Sequence, residues 1–265
     1  RIVNQLYRTD RHSSKVACVQ ARAVDVDKEG LARLTSLPDS SKVYFPPLDL
    51  AQPDDADTEK TATIDIAEVS GRVQTLSSGE TDAIVFCLGL GGTMVDTAPH
   101  IIASIRSSVT EPIFALVTLP CLSEGERCSA KAADDIETIA PMLDGVIVFD
   151  NETWHKKVRS AGKMEAVPDK GLAAKFGLKK KKEPVLSPAE KMYSLLNDAI
   201  VRRLSLILRA GEFKADGGLE LAEVVMDSGE VLNTMRGMGF ITIGYAVELL
   251  PSHPLDFLTR LRPAG

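Results

Sequence analysis

Three closely spaced glycines follow a short apolar run, and this order of residues could bind phosphate. The run covers residues 83–88, and a threonine-capped segment with helical spacing covers residues 97–106. Glycines allow backbone N–H groups to approach an anion, and the start of a helix adds unpaired donors. A phosphate loop and an ordinary tight turn between strand and helix both fit this stretch. The glycines are Gly89, Gly91 and Gly92.

Two carboxylates near the other end of the chain are the best candidates for acid–base chemistry. Asp227 and Glu230 lie three residues apart at the predicted start of a helix, which places them on adjacent turns of one face. An acidic first turn also stabilises a helix through its dipole. A catalytic role and a purely structural role therefore both explain the pair.

Tyr193 and Asn197 lie four residues apart in a helical pattern and therefore share one face. An aromatic ring can stack on a planar ligand, and a side-chain amide both donates and accepts hydrogen bonds. A core tyrosine beside a surface asparagine would give the same spacing, so a binding site and a structural face both remain open.

The composition excludes several classes of function. The chain has 265 residues, of which 44% are hydrophobic and 26% are charged, which is typical of a globular protein. A net charge of −6 does not favour nucleic acid as the main partner. The scattered histidines and cysteines predict no metal site, and no apolar run is long enough to span a membrane. Cys18 and Cys87 lie in apolar runs and are expected to be buried free thiols.

Strand-like runs alternate with helical patterns over the first 150 residues. Such alternation predicts an α/β fold, with a Rossmann-like, doubly wound parallel sheet covered by helices on both faces. The predicted strands are 16–24, 42–45, 84–88, 113–118 and 145–149, and the predicted helices are 28–34, 61–76, 97–107 and 130–139.

The pattern changes after residue 151. Residues 156–187 are rich in lysine and indicate a solvated insertion, and residues 48–60 indicate an acidic loop. A long central helix is predicted over 189–210, and its apolar stripe suits packing along the sheet. The stripe consists of Met192, Leu195, Leu196, Ile200, Leu204, Ile207 and Leu208.

These patterns divide the chain into a binding domain (1–187), a connecting helix (188–211) and the start of a smaller α+β domain (212–265). The smaller domain would contain a helix at 230–235, a strand at 240–248 and a further helix at 255–261. Arg1 opens directly in a helical pattern, so we expect an upstream strand and loop, and a longer natural C-terminus.

Several separated motifs resemble, in order, those of the tubulin/FtsZ family. The family's loop GGGTGTGAAP resembles LGGTMVDTAP at 90–99, and its PFxxEGxxR segment resembles PCLSEGERC at 120–128. An asparagine ends the next family strand, as in FDNE at 149–152. The central-helix pattern YxxxN resembles YSLLN at 193–197, and the family's NxDxxE loop resembles VMDSGE at 225–230.

The resemblance implies a protein that binds GTP or GDP with Mg²⁺ and assembles head to tail into protofilaments. It implies GTP hydrolysis and a cytoplasmic role in the cytoskeleton or in cell division. By position, Gly91, Gly92 and Thr93 would hold phosphate, and Glu124 would hold the ribose. The guanine would be bound by Asn151, Tyr193 and Asn197, and catalysis at the neighbouring copy would fall to Asp227 and Glu230.

Three residues of the glycine loop depart from the family pattern. Met94, Val95 and Asp96 stand where the family has small residues, and Asp96 brings negative charge toward an anion unless Mg²⁺ intervenes. The departures keep open a second hypothesis, a degenerate scaffold or assembly partner with weak or no GTPase activity. A dinucleotide-dependent oxidoreductase is disfavoured, because Met94 stands where GxGxxG needs its third glycine.

Overall fold

The computed structural model describes residues 1–13, 17–45, 65–75, 81–156, 188–208, 210 and 227–244. Six strands are found in this part of the chain: β1 (Ala23–Asp25), β2 (Lys42–Tyr44), β3 (Ile84–Gly89), β4 (Ile113–Leu119), β5 (Gly145–Asp150) and β6 (Gly239–Ile241). The helices are α1 (Ile2–Ser13), α2 (Lys28–Ala32), α3 (Ile66–Gln74), α4 (Ala98–Arg106), α5 (Glu126–Ile139), α6 (151–156), α7 (Pro188–Leu208) and α8 (Ser228–Met235).

The central element is a parallel sheet in the order β3–β4–β5–β6, and β1 pairs with β2 in a separate parallel pair. Side chains of β4 alternate between its two faces, as the pleat requires. Phe114 and Leu116 pack with α1, α7 and α8, whereas Ala115 and Val117 pack with α4 and α5. The predicted α/β fold, with a parallel sheet covered on both faces, is confirmed.

Parallel pairing brings the ends of neighbouring strands to the same side of the sheet. Gly89 pairs with Thr118, and Leu119 pairs with Asp150, so β3, β4 and β5 end together at what we call the carboxyl edge. The same strands begin together at the opposite, amino edge. Groups that follow the strands and groups that precede them are thus held at opposite ends of one rigid sheet.

The first predicted strand, 16–24, is mostly wrong. Only its end is extended, in β1, and residues 17–22 form no strand. The buried carboxylate of Asp10 accepts the N–H groups of Cys18 and Val19 at 3.2 and 3.1 Å. Backbone donors that bond to a side chain cannot bond to a neighbouring strand. Cys18 is exposed, which corrects its expected burial.

Helix α7 confirms the predicted central helix, although one residue of its stripe points elsewhere. Leu196, Ile200 and Leu204 recur every four residues and are buried in the core, whereas Leu195 is 50% exposed. The predicted acidic loop at 48–60, most of the lysine-rich segment and the helix at 255–261 lie outside the described residues. No helix in the described part of the chain is long and apolar enough to cross a membrane.

Candidate functional site

A cavity of about 560 Å³ opens at the carboxyl edge of the sheet. The start of α1, the ends of β3 and β4 and one face of α7 form its walls. A volume of this size is typical of a small-molecule site. The residues that line it are Arg1, Ile2, Val3, Cys87, Leu88, Gly89, Thr118, Glu190, Tyr193 and Asn197.

One face of α7 supplies three polar side chains to this cavity. Glu190, Tyr193 and Asn197 are spaced by three and four residues, so they follow one line along the helix. The predicted pairing of Tyr193 with Asn197 on one face therefore agrees with their position in the cavity wall. Both residues are half-buried.

The hydroxyl of Tyr193 is tied to the turn that follows β4. It donates to Glu124 Oε1 at 3.2 Å, and the same carboxylate oxygen accepts the Cys121 N–H at 2.8 Å. Burial, together with the neighbouring Glu124 and Cys121, raises the pKa of Tyr193 to about 12. The phenol therefore stays protonated at neutral pH. These contacts fix the ring and connect the predicted residues Glu124 and Tyr193.

Asn151 lies at the same edge but does not line the cavity. It is the first residue of α6 and directly follows β5. Asp150 caps this helix by accepting the Glu152 N–H at 3.0 Å and the Thr153 N–H at 3.3 Å. The strand end and its cap hold Asn151 in place beside the turn after β4, where Glu152 accepts the Leu122 N–H at 3.2 Å.

The glycine loop runs close to α5. Gly91 has a φ of +82°, and a Cβ at this position would lie 2.6 Å from Cys128 Sγ and 2.7 Å from its carbonyl oxygen. Only glycine fits such a conformation and such a gap. The Gly91 N–H donates to the buried carboxylate of Asp135 at 2.8 Å, so this N–H is used within the chain. Gly91, Gly92 and Thr93 adjoin Gly89 without lining the cavity themselves.

A single lysine on α5 joins both ends of the loop. Lys131 Nζ donates to the Gly92 carbonyl at 3.2 Å, to Asp96 at 2.7 Å and to Asp135 at 2.8 Å. Burial alone would lower the pKa of Lys131, but the hydrogen bonds and charges of Asp135 and Asp96 outweigh it and raise the pKa. Lys131 therefore remains a cation, and the charge of Asp96 is compensated within the chain.

The two larger apolar side chains of the glycine loop, Met94 and Val95, pack against the protein core. Val95 is buried among Ala98 and Ile102, and Met94 packs against the neighbouring core cluster. Within the described residues only glycines have positive φ, so Val95 is not forced into a strained conformation. The expected cap by Thr97 is absent, because its hydroxyl donates to the Met94 carbonyl at 2.9 Å.

The two predicted catalytic acids lie at the amino edge. Asp227 caps α8 by accepting the Glu230 N–H at 2.8 Å, and Glu230 accepts the Asp227 N–H at 3.3 Å in return. Ser228 Oγ donates to Asp82 at 3.2 Å, which places the start of α8 beside the start of β3. The six residues of β3 separate the acids from the cavity by roughly 15–20 Å.

Known proteins are similar to this chain in sequence and in fold. Residues 188–264 match the family model described as tubulin-like CetZ, C-terminal domain. The tubulin-like protein CetZ3 of Haloferax volcanii is 30% identical over 266 residues, which are 98% of this chain and 61% of that protein. The GDP-bound monomer of CetZ1 from the same organism superposes with a TM-score of 0.63 at 25% identity, over 92% of this chain and 63% of that one. The chain has the fold of tubulin/FtsZ proteins and is similar in sequence to CetZ proteins.

A third comparison gives the same fold. The protofilament of CetZ2 from Haloferax volcanii, bound to GTPγS, has a TM-score of 0.60 at 23% identity, over 92% of this chain and 62% of that one. The chain spans less than two thirds of the length of the curated relatives that it matches. The C-terminal family match begins at Pro188, the first residue of α7.

The motif residues were enough to predict a resemblance to the tubulin/FtsZ family, but other residues of this site belong to no motif. Glu190 could have been found, because it lies three residues before Tyr193 on the same helical face. Thr118 could have been found because it ends the strand beside Gly89, and α/β proteins bind ligands at the ends of neighbouring parallel strands. Lys131 and Asp135 gave no signal, since a lysine and an aspartate four residues apart are common on an exposed helix.

Proposed function

We propose that this protein binds a guanine nucleotide at the carboxyl edge of its sheet. The supporting observation is that Tyr193 and Asn197, singled out from the sequence as an aromatic ring and an amide on one face, both line the cavity. The ring could stack on a purine, and the amide could pair with its edge. Glu124 accepts a hydrogen bond from Tyr193, and Asn151 follows β5 at the same edge of the sheet; we propose that they contact the ribose and the base.

The phosphates would lie over the glycine loop, which follows directly from the cavity wall at Gly89. The Thr93 N–H has no acceptor within the described part of the chain, so it could donate to an anion. The Gly91 N–H is already bound to Asp135, so its proposed contribution is the close approach of backbone rather than a donor.

We propose further that hydrolysis of GTP requires two copies of the chain. Asp227 and Glu230 lie at the amino edge and cannot reach the cavity of their own molecule. A copy stacked head to tail would bring its amino edge to that cavity, where the carboxylates could orient and polarise the attacking water. The existence of a GTPγS-bound protofilament of CetZ2, which has the same fold, supports the proposal that copies of this chain stack. The role would be cytoplasmic, in the cytoskeleton or in cell division, as the family resemblance implies.

The described residues do not by themselves form a site that holds Mg²⁺. Among the described residues no three acidic, histidine or cysteine side chains converge as metal ligands, and Asp96 is paired with Lys131. A Mg²⁺ ion would be coordinated mainly by the nucleotide phosphates.

A scaffold with weak or no GTPase activity is the second candidate. Two observations favour it: the Gly91 N–H is used within the chain, and both candidate acids already form the reciprocal cap of α8. Such a protein would keep the fold and the assembly surfaces and would lose the chemistry. Phosphate release that stays absent, or rises only linearly with protein concentration, would favour the scaffold.

Thermal unfolding with GDP, and with NAD as a control, tests the binding proposal. A ligand at a hundred times its Kd stabilises the folded state by about 2.7 kcal/mol, so GDP should raise the Tm and NAD should not. Tyr193→Ala should weaken GDP binding by about 1–3 kcal/mol through lost stacking. Tyr193→Phe is the matched control, because it removes only the hydroxyl bond to Glu124. Equal binding by the wild type and the alanine variant would refute the proposed site.

A further inference from the structure

Lys131 of α5 is a cation that contacts the glycine loop, and it also bonds to a carboxylate of its own helix. Its ammonium group bonds to the Gly92 carbonyl and to both carboxylates, Asp96 and Asp135. The side chain of Asp135 is 8% exposed and that of Lys131 is 32% exposed, whereas Asp96 is 61% exposed. The hydrogen-bond network therefore extends from the buried Asp135 to the solvent-exposed Asp96.

These contacts determine which way the loop peptides face. In a planar trans peptide the carbonyl and the following N–H point in opposite directions. Because Lys131 holds the Gly92 carbonyl on the side of α5, the Thr93 N–H points away from α5. Asp135 holds the Gly91 N–H on the side of α5 in the same manner. The loop is thus oriented by side chains of a neighbouring helix.

Lys131 also changes the electrostatics of the loop. An uncompensated Asp96 would repel an anion placed over Gly92 and Thr93. A hydrogen bond between Lys131 and Asp96, 2.7 Å long, offsets this charge and keeps the carboxylate on the side of the lysine. The exposed position of Asp96 means that its charge would otherwise face solvent and any approaching phosphate.

We propose that Lys131 is a positioning residue of the phosphate loop, which it orients through the Gly92 carbonyl and shields from the charge of Asp96. The inference rests on the proposed nucleotide function. It assigns to α5 a part in binding phosphate that does not require Lys131 to touch the nucleotide.

The test compares GDP with guanosine by calorimetry on the full-length protein. Lys131→Met should weaken GDP binding about tenfold, the scale of one charge-assisted hydrogen bond, and leave guanosine binding nearly unchanged. A purely structural loss would weaken both ligands equally. Lys131→Arg keeps the charge and should restore most of the GDP affinity.

Asp96→Ala provides a second variant that leaves the pair of Lys131 with Asp135 intact. It should bind GDP at least as tightly as the wild type, with and without magnesium. Lys131→Met combined with Asp96→Ala should recover part of the affinity that the first change removes. Weaker GDP binding by Asp96→Ala in magnesium would overturn the inference, since Asp96 would then serve the ligand directly.

Hydrogen exchange on the nucleotide-free protein gives an independent measurement. The Gly91 amide should be protected in the wild type and should exchange faster in Lys131→Met, because Asp135 loses its partner. A wild type that binds neither guanosine nor GDP refutes the proposed function and this inference with it. A wild type that binds GDP, together with a Lys131→Met variant that binds it equally well, refutes the inference alone.

Discussion

At the scale of single residues, the glycine loop shows that neighbouring glycines have different roles. Gly91 has positive φ and lies against Cys128, whereas Gly92 has a φ of −86° and open space except for the Gly89 carbonyl at 3.3 Å. The first position requires glycine for two independent reasons. The second position, Gly92, would accept alanine after a small adjustment of the backbone.

Gly91→Ala should therefore destabilise the protein much more than Gly92→Ala. Positive φ alone costs a residue with a Cβ about 1–3 kcal/mol, and the contact with Cys128 would add to this cost. Urea denaturation of both variants measures the difference, with Gly92→Ala as the matched control. Equal losses in the two variants would show that the loop does not lie against α5 as described.

Residue types at the site could be predicted, but their partners could not. Tyr193 and Asn197 followed from helical spacing, because a period of 3.6 residues fixes which side chains share a face. The bond between Gly91 and Asp135 joins residues 44 positions apart. Neither side chain carries a pattern that announces the other, so only the folded chain reveals that the loop and α5 are connected.

At the scale of elements, Asp144 joins three parts of the amino edge. It accepts the Ile113 N–H at the start of β4, Arg106 at the end of α4, and Arg236 just after α8. Burial would raise the pKa of Asp144, but the Ile113 N–H and the two guanidinium groups outweigh it and lower the pKa. The carboxylate therefore fastens α8, with its acidic cap, to the sheet.

Asp144→Ala should lower the free energy of unfolding by about 2 kcal/mol at neutral pH, since it removes several charge-assisted hydrogen bonds. The pKa of Asp144 is lower in the folded protein than its unfolded value of 3.8, so the stabilisation by Asp144 is fully present above pH 3.8. This stabilisation is lost as the pH falls through the folded pKa. The gap between variant and wild type should therefore shrink in acid.

Urea denaturation at neutral and acidic pH checks this expectation. The control is Asp39→Ala, because Asp39 is 98% exposed and its ion pair with Lys42 should contribute less than about 0.5 kcal/mol. A gap between Asp144→Ala and wild type that stays constant into acid would contradict the role given to this carboxylate.

Elements were predictable where the chain forms regular contacts with its neighbours. β4 and β5 carry continuous apolar runs because both of their faces are buried, and their bounds were predicted to within one residue. Residues 17–22 belong to a largely apolar run, but Asp10 accepts the N–H groups of Cys18 and Val19. Helix α5 begins at Glu126, earlier than the apolar pattern at 130, because its first turn is exposed.

At the scale of the whole molecule, the cavity and the acids occupy opposite edges of the sheet, so defects in the two should complement each other. Tyr193→Ala disables the cavity and leaves the acids intact. Asp227→Asn removes a charge, and asparagine still caps α8. Each variant alone should release little phosphate from GTP, and an equal mixture should regain activity, since random pairing completes about one interface in four.

Phosphate release measured against protein concentration provides the readout. The rate per molecule should rise with concentration for the wild type and for the mixture. A mixture that is no more active than its components would contradict catalysis between copies. Full activity of Asp227→Asn alone would assign that carboxylate to the helix cap and nothing else.

Because the cavity and the acids lie at opposite edges of the sheet, any head-to-tail stack of copies has a direction. One terminal molecule would present an open cavity that no acidic partner covers, while the molecule at the far terminus would present carboxylates with no nucleotide to meet. The two tips of such a polymer differ chemically although every subunit is the same. Growth and loss of subunits at the two tips would then proceed at unequal rates, with no second protein needed to distinguish them.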